Sequence, residues 1–99
     1  MGCRRVSAGC ENCYAEKIAA RFSRPGQPFE GIARRRSNGE AQWTGSSAVN
    51  LRTLRLPLSW RRPRRVFVNS MSDLFYEAFD VATIAQVFAV MALASRHTF

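Results

Sequence analysis

The sequence has no apolar run long enough to cross a bilayer, and its first residues carry arginine and cysteine where a secretion signal needs an apolar stretch. A soluble, cytoplasmic chain is expected. It has little acid: 7 Asp and Glu stand against 15 Lys and Arg, a formal net charge of +8, and nearly all the cations are arginine. That balance suits a polyanionic partner. Cysteine is absent after Cys13, and histidine occurs once, as His97. An odd number of cysteines crowded into one short segment makes a poor disulfide framework, and a reducing cytosol favours thiolates available for metal. A chain of 99 residues, 46% hydrophobic, can bury a core, but only that of one small domain.

Three parts follow one another along the chain: a cysteine loop and helix over 1–24, a loop-rich basic segment over 25–60, and the start of a strand–loop–helix–strand series over 61–99. Tyr14, Ile18 and Phe22 recur at four-residue steps, which predicts a helix over 13–22 with those side chains on one face, Asn12 as its N-cap and Glu16 in its first turn. Pro25 and Gly26 end it. The following stretch to about Asn50 is rich in Gly, Ser and Arg with no sustained period and reads as loop. "VNLRTLRLPLSW" alternates in part, and with Pro57 inside it an extended or short edge element is expected. "RVFVNS" over 65–70 reads as a strand of the kind buried on both faces of a parallel sheet. Asp80 is placed to cap a helix running to about Ser95, with Val81, Ile84, Phe88, Met91 and Ala92 as its apolar stripe, and "HTF" begins another strand.

Ligands of parallel α/β proteins bind where strands end and loops lead into helices, which is where Asn69, Ser70, Ser72 and Asp73 fall. The same residues are ordinary turn formers, and Asp73 also fits a turn-capping role. The arginines gather as Arg34, Arg35 and Arg36, and as Arg61, Arg62, Arg64 and Arg65 around Pro63, both expected in loops. They fit a nucleic-acid backbone, and they fit a solvated surface equally well.

Cys10 and Cys13 form a CxxC at a helix start, where backbone N–H groups lower thiol pKa values, and Cys3 returns from a loop given freedom by Gly2 and Gly9. Structural zinc wants a fourth ligand, which only the distant His97 could supply. A redox pair would leave Cys3 idle. An iron–sulfur cluster on three cysteines keeps one iron open for a small molecule.

The segments "VSAGCENCYAEKIAARF", "LRLPLSWRRPRRVFVNSMSDLFYE" and "IAQVFAVMALASRHTF" together closely resemble a family of phage-associated bacterial proteins named after the phage gene products gp thirty-seven and gp sixty-eight. The resemblance covers almost the whole chain. That family looks like a divergent branch of the radical S-adenosylmethionine (SAM) enzymes. The resemblance implies the N-terminal part of a radical-SAM-like, partial TIM-type α/β barrel, with a 4Fe-4S cluster on Cys3, Cys10 and Cys13. It implies SAM bound at the open iron, contacted from Asn69, Ser70, Ser72 and Asp73. One electron passed to the sulfonium would release methionine and a deoxyadenosyl radical that abstracts hydrogen from the substrate.

The cysteine spacing departs from the usual radical SAM pattern: six residues separate Cys3 from Cys10, and the aromatic Tyr14 follows the last cysteine instead of preceding it. Members of the family look longer than this chain, which implies an N-terminal fragment that depends on further strands for stability and activity. A rival of a different class is a non-enzymatic, arginine-rich nucleic-acid-binding module with a structural zinc. His97 is expected to be structural.

Overall fold

The computed structural model describes residues 1–99. A single 3-10 turn, Ala8–Cys10, leads into α1, Tyr14–Arg21, and the hairpin β1, Ala33–Arg35, with β2, Ala41–Trp43, packs on it. Then come α2, Leu51–Ser59, and α3, Val81–Leu93, which pack on each other. The chain is a mixed helix-and-strand protein. Its β structure is one two-stranded antiparallel sheet and one parallel bridge, Arg65 to Thr98; no barrel closes.

The first helix matches its expected span but not its expected face. Tyr14, Ile18 and Phe22 are exposed, whereas Ala15, Glu16, Ala19 and Ala20 are buried. Alanines have no bulk beyond Cβ, so this side of α1 can approach the hairpin closely, and Ala15, Ala19 and Ala20 form the core cluster with Ile32, Ala33 and Trp43. Cys13, not Asn12, stands at the N-cap, and no side chain caps the helix. The 3-10 turn continues through Glu11 N–H to Ala8 O and Cys13 N–H to Cys10 O, which places Asn12 inside the turn.

The expected loop over 25–50 contains β1 and β2, in register Ala33 to Trp43, Arg34 to Gln42 and Arg35 to Ala41. Arg34 and Arg35 are therefore strand residues, not loop residues. Gly39, at φ 84°, supplies the left-handed backbone that turns the hairpin.

The extended element expected before Trp60 is instead α2. The Asn50 side chain accepts from Thr53 N–H, the N-cap bond that starts a helix, and Leu51, Leu54 and Leu58 lie at helical spacing. Pro57 falls near the C-terminal end, where its missing N–H costs one bond without breaking the helix. Helix α3 forms as expected, with Asp80 Oδ1 accepting from Thr83 N–H at 2.7 Å. Its stripe is rotated: Val90 is buried, Ile84 and Met91 are half-buried, and Val81 and Phe88 are exposed.

The strand expected over 65–70 reduces to the bridge at Arg65. Val66 N–H donates to Thr98 O (2.8 Å), and Thr98 N–H donates to Arg64 O (2.9 Å), a parallel pairing across α3. Beyond it the chain turns at 68–70, and Phe67, expected to be buried, is exposed. A strand buried on both faces needs neighbours on both edges, and here only Thr98 is paired.

Candidate metal centre

Residues 1–3 run beside 46–48, with Ala48 N–H donating to Met1 O at 2.8 Å. Gly2 is buried at φ 141°, and a Cβ there would lie 2.8 Å from Ser46 O, so only glycine fits. On its other side Asp73 N–H donates to Gly2 O at 3.2 Å. Cys3 is thus delivered between the hairpin and the Asp73 turn. Cys3 and Cys13 both pack against the core cluster, and all three cysteines are free and half-buried.

The thiols have opposed surroundings. Burial pushes Cys3 up; a backbone hydrogen bond with Arg4 opposes this, and the charges of Asp73, Cys13 and Cys10 add to the rise. Cys10 is held below the usual thiol value by backbone hydrogen bonds from Val6 and Ser7 and by the Ser7 hydroxyl, assisted by Arg5 and opposed by burial. The three sulfurs share one neighbourhood. They are not drawn into a common coordination sphere: no group of three His, Cys, Asp or Glu side chains is disposed to hold a metal ion.

Three residues fix this neighbourhood: Arg5 and Trp43, for which no role is expected from sequence, and Glu16, expected only in the first turn of the helix. Glu16 Oε2 accepts from Arg5 Nε (2.8 Å) and Nη2 (2.6 Å), and Glu16 Oε1 accepts from the Trp43 backbone N–H (2.9 Å). Arg5 lies midway along the Cys3–Cys10 loop, and its Nη2 also reaches Ala41 O at 3.3 Å. One carboxylate therefore fastens the cysteine loop to α1 and β2. The available signal was spacing: Glu16, Ala19 and Ala20 fall at i, i+3 and i+4, on one side of the helix.

The four loop residues divide between two places. Asp73 stands near enough to Cys3 for its charge to act there, and its Oδ1 accepts from Phe75 N–H at 2.9 Å, a turn-capping bond. Asn69 adopts φ 58°, and its carbonyl accepts from Ser72 N–H. Asn69, Ser70 and Ser72 line a groove of about 430 Å³ that also touches Leu54, Phe67 and Val87. Tyr14 joins the two places, its hydroxyl donating to Ser70 O at 2.7 Å.

His97 is buried away from this chemistry. Its Nδ1 accepts from Arg64 N–H at 3.2 Å and its Nε2–H donates to Pro57 O at 2.9 Å, so both ring nitrogens are engaged by backbone.

Fold and site together define a small helix-and-strand protein with three free thiols around the start of one helix. Over residues 1–99 it matches the family described as "Protein of unknown function (DUF5131)", and it belongs to that family. No curated protein and no solved structure matches the chain. No helix is long and apolar enough to cross a membrane.

Proposed function

We propose that this chain carries the cluster-binding portion of a cytoplasmic, radical-SAM-like iron–sulfur enzyme related to the phage gp thirty-seven and gp sixty-eight proteins, with Cys3, Cys10 and Cys13 holding a 4Fe-4S cluster. The observation that carries this reading is the set of three unbonded, neighbouring thiols in a chain whose only histidine has both ring nitrogens engaged. A structural zinc needs four protein ligands, whereas a cluster on three thiolates needs no fourth. The glycine-containing loop can close as ligation draws the sulfurs together, since metal binding and local folding are coupled.

Held by Cys3, Cys10 and Cys13, such a cluster would supply the electron for reductive cleavage of SAM. The chain's own residues bind and orient. Val6, Ser7 and Arg5 favour the thiolate of Cys10, and the Arg5–Glu16 pair holds the loop that carries it. Asp73 brings a carboxylate to Cys3, suited to a cationic group of SAM, and Asn69, Ser70 and Ser72 offer polar contacts in the adjoining groove. The parallel bridge across α3 is the pairing a βαβ unit makes, which supports a barrel-type assembly. The substrate class we assign is nucleic acid, met by Arg34, Arg35, Arg36, Arg61, Arg62, Arg64 and Arg65 on a chain of net charge +8.

Anaerobic purification and reconstitution with iron and sulfide test the proposal. Iron with acid-labile sulfide, lost when any one of the three cysteines becomes alanine, is the expected result, together with SAM binding by equilibrium dialysis. Stoichiometric zinc without sulfide would overturn it in favour of a zinc-bearing binding module.

A further inference from the structure

Arginines 34 and 36 fall on one face of the hairpin, two residues apart, and Gln42 stands directly across from Arg34. Both reach the same atom: Gln42 Oε1 accepts from Arg34 Nη2 (3.2 Å) and Nε (3.4 Å) and from Arg36 Nε (3.0 Å). Two guanidinium groups thus converge on a neutral amide oxygen, which positions them without cancelling either charge. The acid paired with them, Glu40, lies 3.9 Å from Arg36 with both side chains exposed, and it also accepts from Asn38 Nδ2. Exposed pairs at that distance are weak. An open concavity of about 480 Å³ beside them is lined by Arg34, Arg35, Arg36, Ser37 and Asn38, with no acidic and no apolar side chain.

We propose that this concavity is a phosphate-binding site for a nucleic-acid backbone, with Arg34 and Arg36 as its claw and Gln42 as the residue that positions them. Guanidinium forks match phosphate oxygens in pairs, and Ser37 and Asn38 add neutral donors. A lipid surface fits less well, because the hairpin tip has no apolar side chain to insert. Within the second arginine group Arg64 is also tied to the fold: it stacks over Trp60 at 4.8 Å, and its backbone holds His97 and Thr98. The site deepens the nucleic-acid part of the proposed function and owes nothing to the cluster.

The test is fluorescence anisotropy of a labelled DNA duplex over a range of NaCl, on the metal-free chain so that a failed cluster assignment leaves it intact. Wild type should bind with a steep salt dependence. The double variant Arg34→Gln/Arg36→Gln should lower the log–log slope by about two. Gln42→Glu keeps the acceptor but sets a carboxylate between the arginines, and should weaken binding about tenfold or more with an unchanged circular dichroism spectrum. No duplex binding, or slopes unchanged in both variants, would overturn the proposal. So would displacement of the duplex by inorganic phosphate at matched ionic strength, which marks a free-phosphate site, or capture by phosphatidylserine vesicles without duplex binding, which marks a membrane site.

Discussion

Arg5 and Glu16 form an ion pair of unequal burial: the Glu16 side chain is 2% exposed, that of Arg5 44%, and Nη2 to Oε2 is 2.6 Å. A carboxylate so deep in a helix–hairpin interface is tolerable only with its lone pairs occupied, which Arg5 and the Trp43 N–H accomplish. The motif residue after Cys-Tyr-Ala thus holds the cysteine loop against the sheet, although it hydrogen-bonds to no cysteine.

Glu16→Ala should destabilise the chain by about 3 kcal/mol in urea unfolding, since it strands a buried N–H and opens the interface. Glu16→Gln keeps an acceptor for Trp43 and should cost about 1–2 kcal/mol. Arg5→Lys, which loses the fork, should loosen the loop and speed alkylation of Cys10. Equal stability of Glu16→Ala and wild type would show that the clamp holds nothing.

Cys10 and Cys3 should titrate in opposite directions. The Cys10 thiol is depressed, so its thiolate, and hence its iodoacetamide reactivity, appears below the usual thiol value of about 8.5; Cys3 is raised and should react only above it. Asp73→Asn preserves an oxygen for Phe75 N–H while removing a charge from beside Cys3. It should lower the pH at which Cys3 reacts, leaving it still raised because burial is the larger cause, without changing the melting temperature. Site-resolved mass spectrometry after timed alkylation reads the three reactivities and a thermal melt the stability; Cys3 reacting ahead of Cys10 at neutral pH would contradict this reading.

What the sequence disclosed divides by the range of the interaction responsible. Helix α3 was legible because Asp80 caps locally and the apolar run is long, and the span of α1 followed from its period and from Pro25 and Gly26. Its buried face was not, because burial chose the alanines that fit beside a hairpin in a stretch that reads as loop. That hairpin had a local signal, Ser37-Asn38-Gly39 between short runs, masked by the arginines around it. Helix α2 was not legible, because Pro57 inside it argues for an extended chain and Asn50, which caps it, closes a stretch that reads as loop. Spacing placed Cys10 and Cys13 just ahead of α1, whereas the Arg5–Glu16–Trp43 clamp joins residues up to 38 positions apart (43 − 5) and left no periodic trace.

His97→Ala should lower stability by about 2–4 kcal/mol, because it leaves Arg64 N–H and Pro57 O without partners and removes the ring that meets Trp60 and Phe99 edge-on. Metal uptake by the cysteines should not change in the fraction that stays folded. Loss of bound metal at full stability would move His97 into the metal centre and restore the zinc reading.

Helix α3 is apolar on nearly every side, yet only Val90 is buried, with Val81, Phe88 and Leu93 exposed at 81%, 50% and 74%. Phe67 and Phe75 add 81% and 70%. Side chains of this size left in water form a surface that gains from association by roughly 25 cal/mol for each Å² covered. The isolated chain should therefore bind a hydrophobic dye and self-associate with concentration in sedimentation velocity. Replacing Val81, Phe88 and Leu93 by glutamine should suppress both without lowering the unfolding midpoint, since none supports the core. A chain that stays monomeric and dye-free, or a triple variant that unfolds, would show that these side chains are already covered in solution.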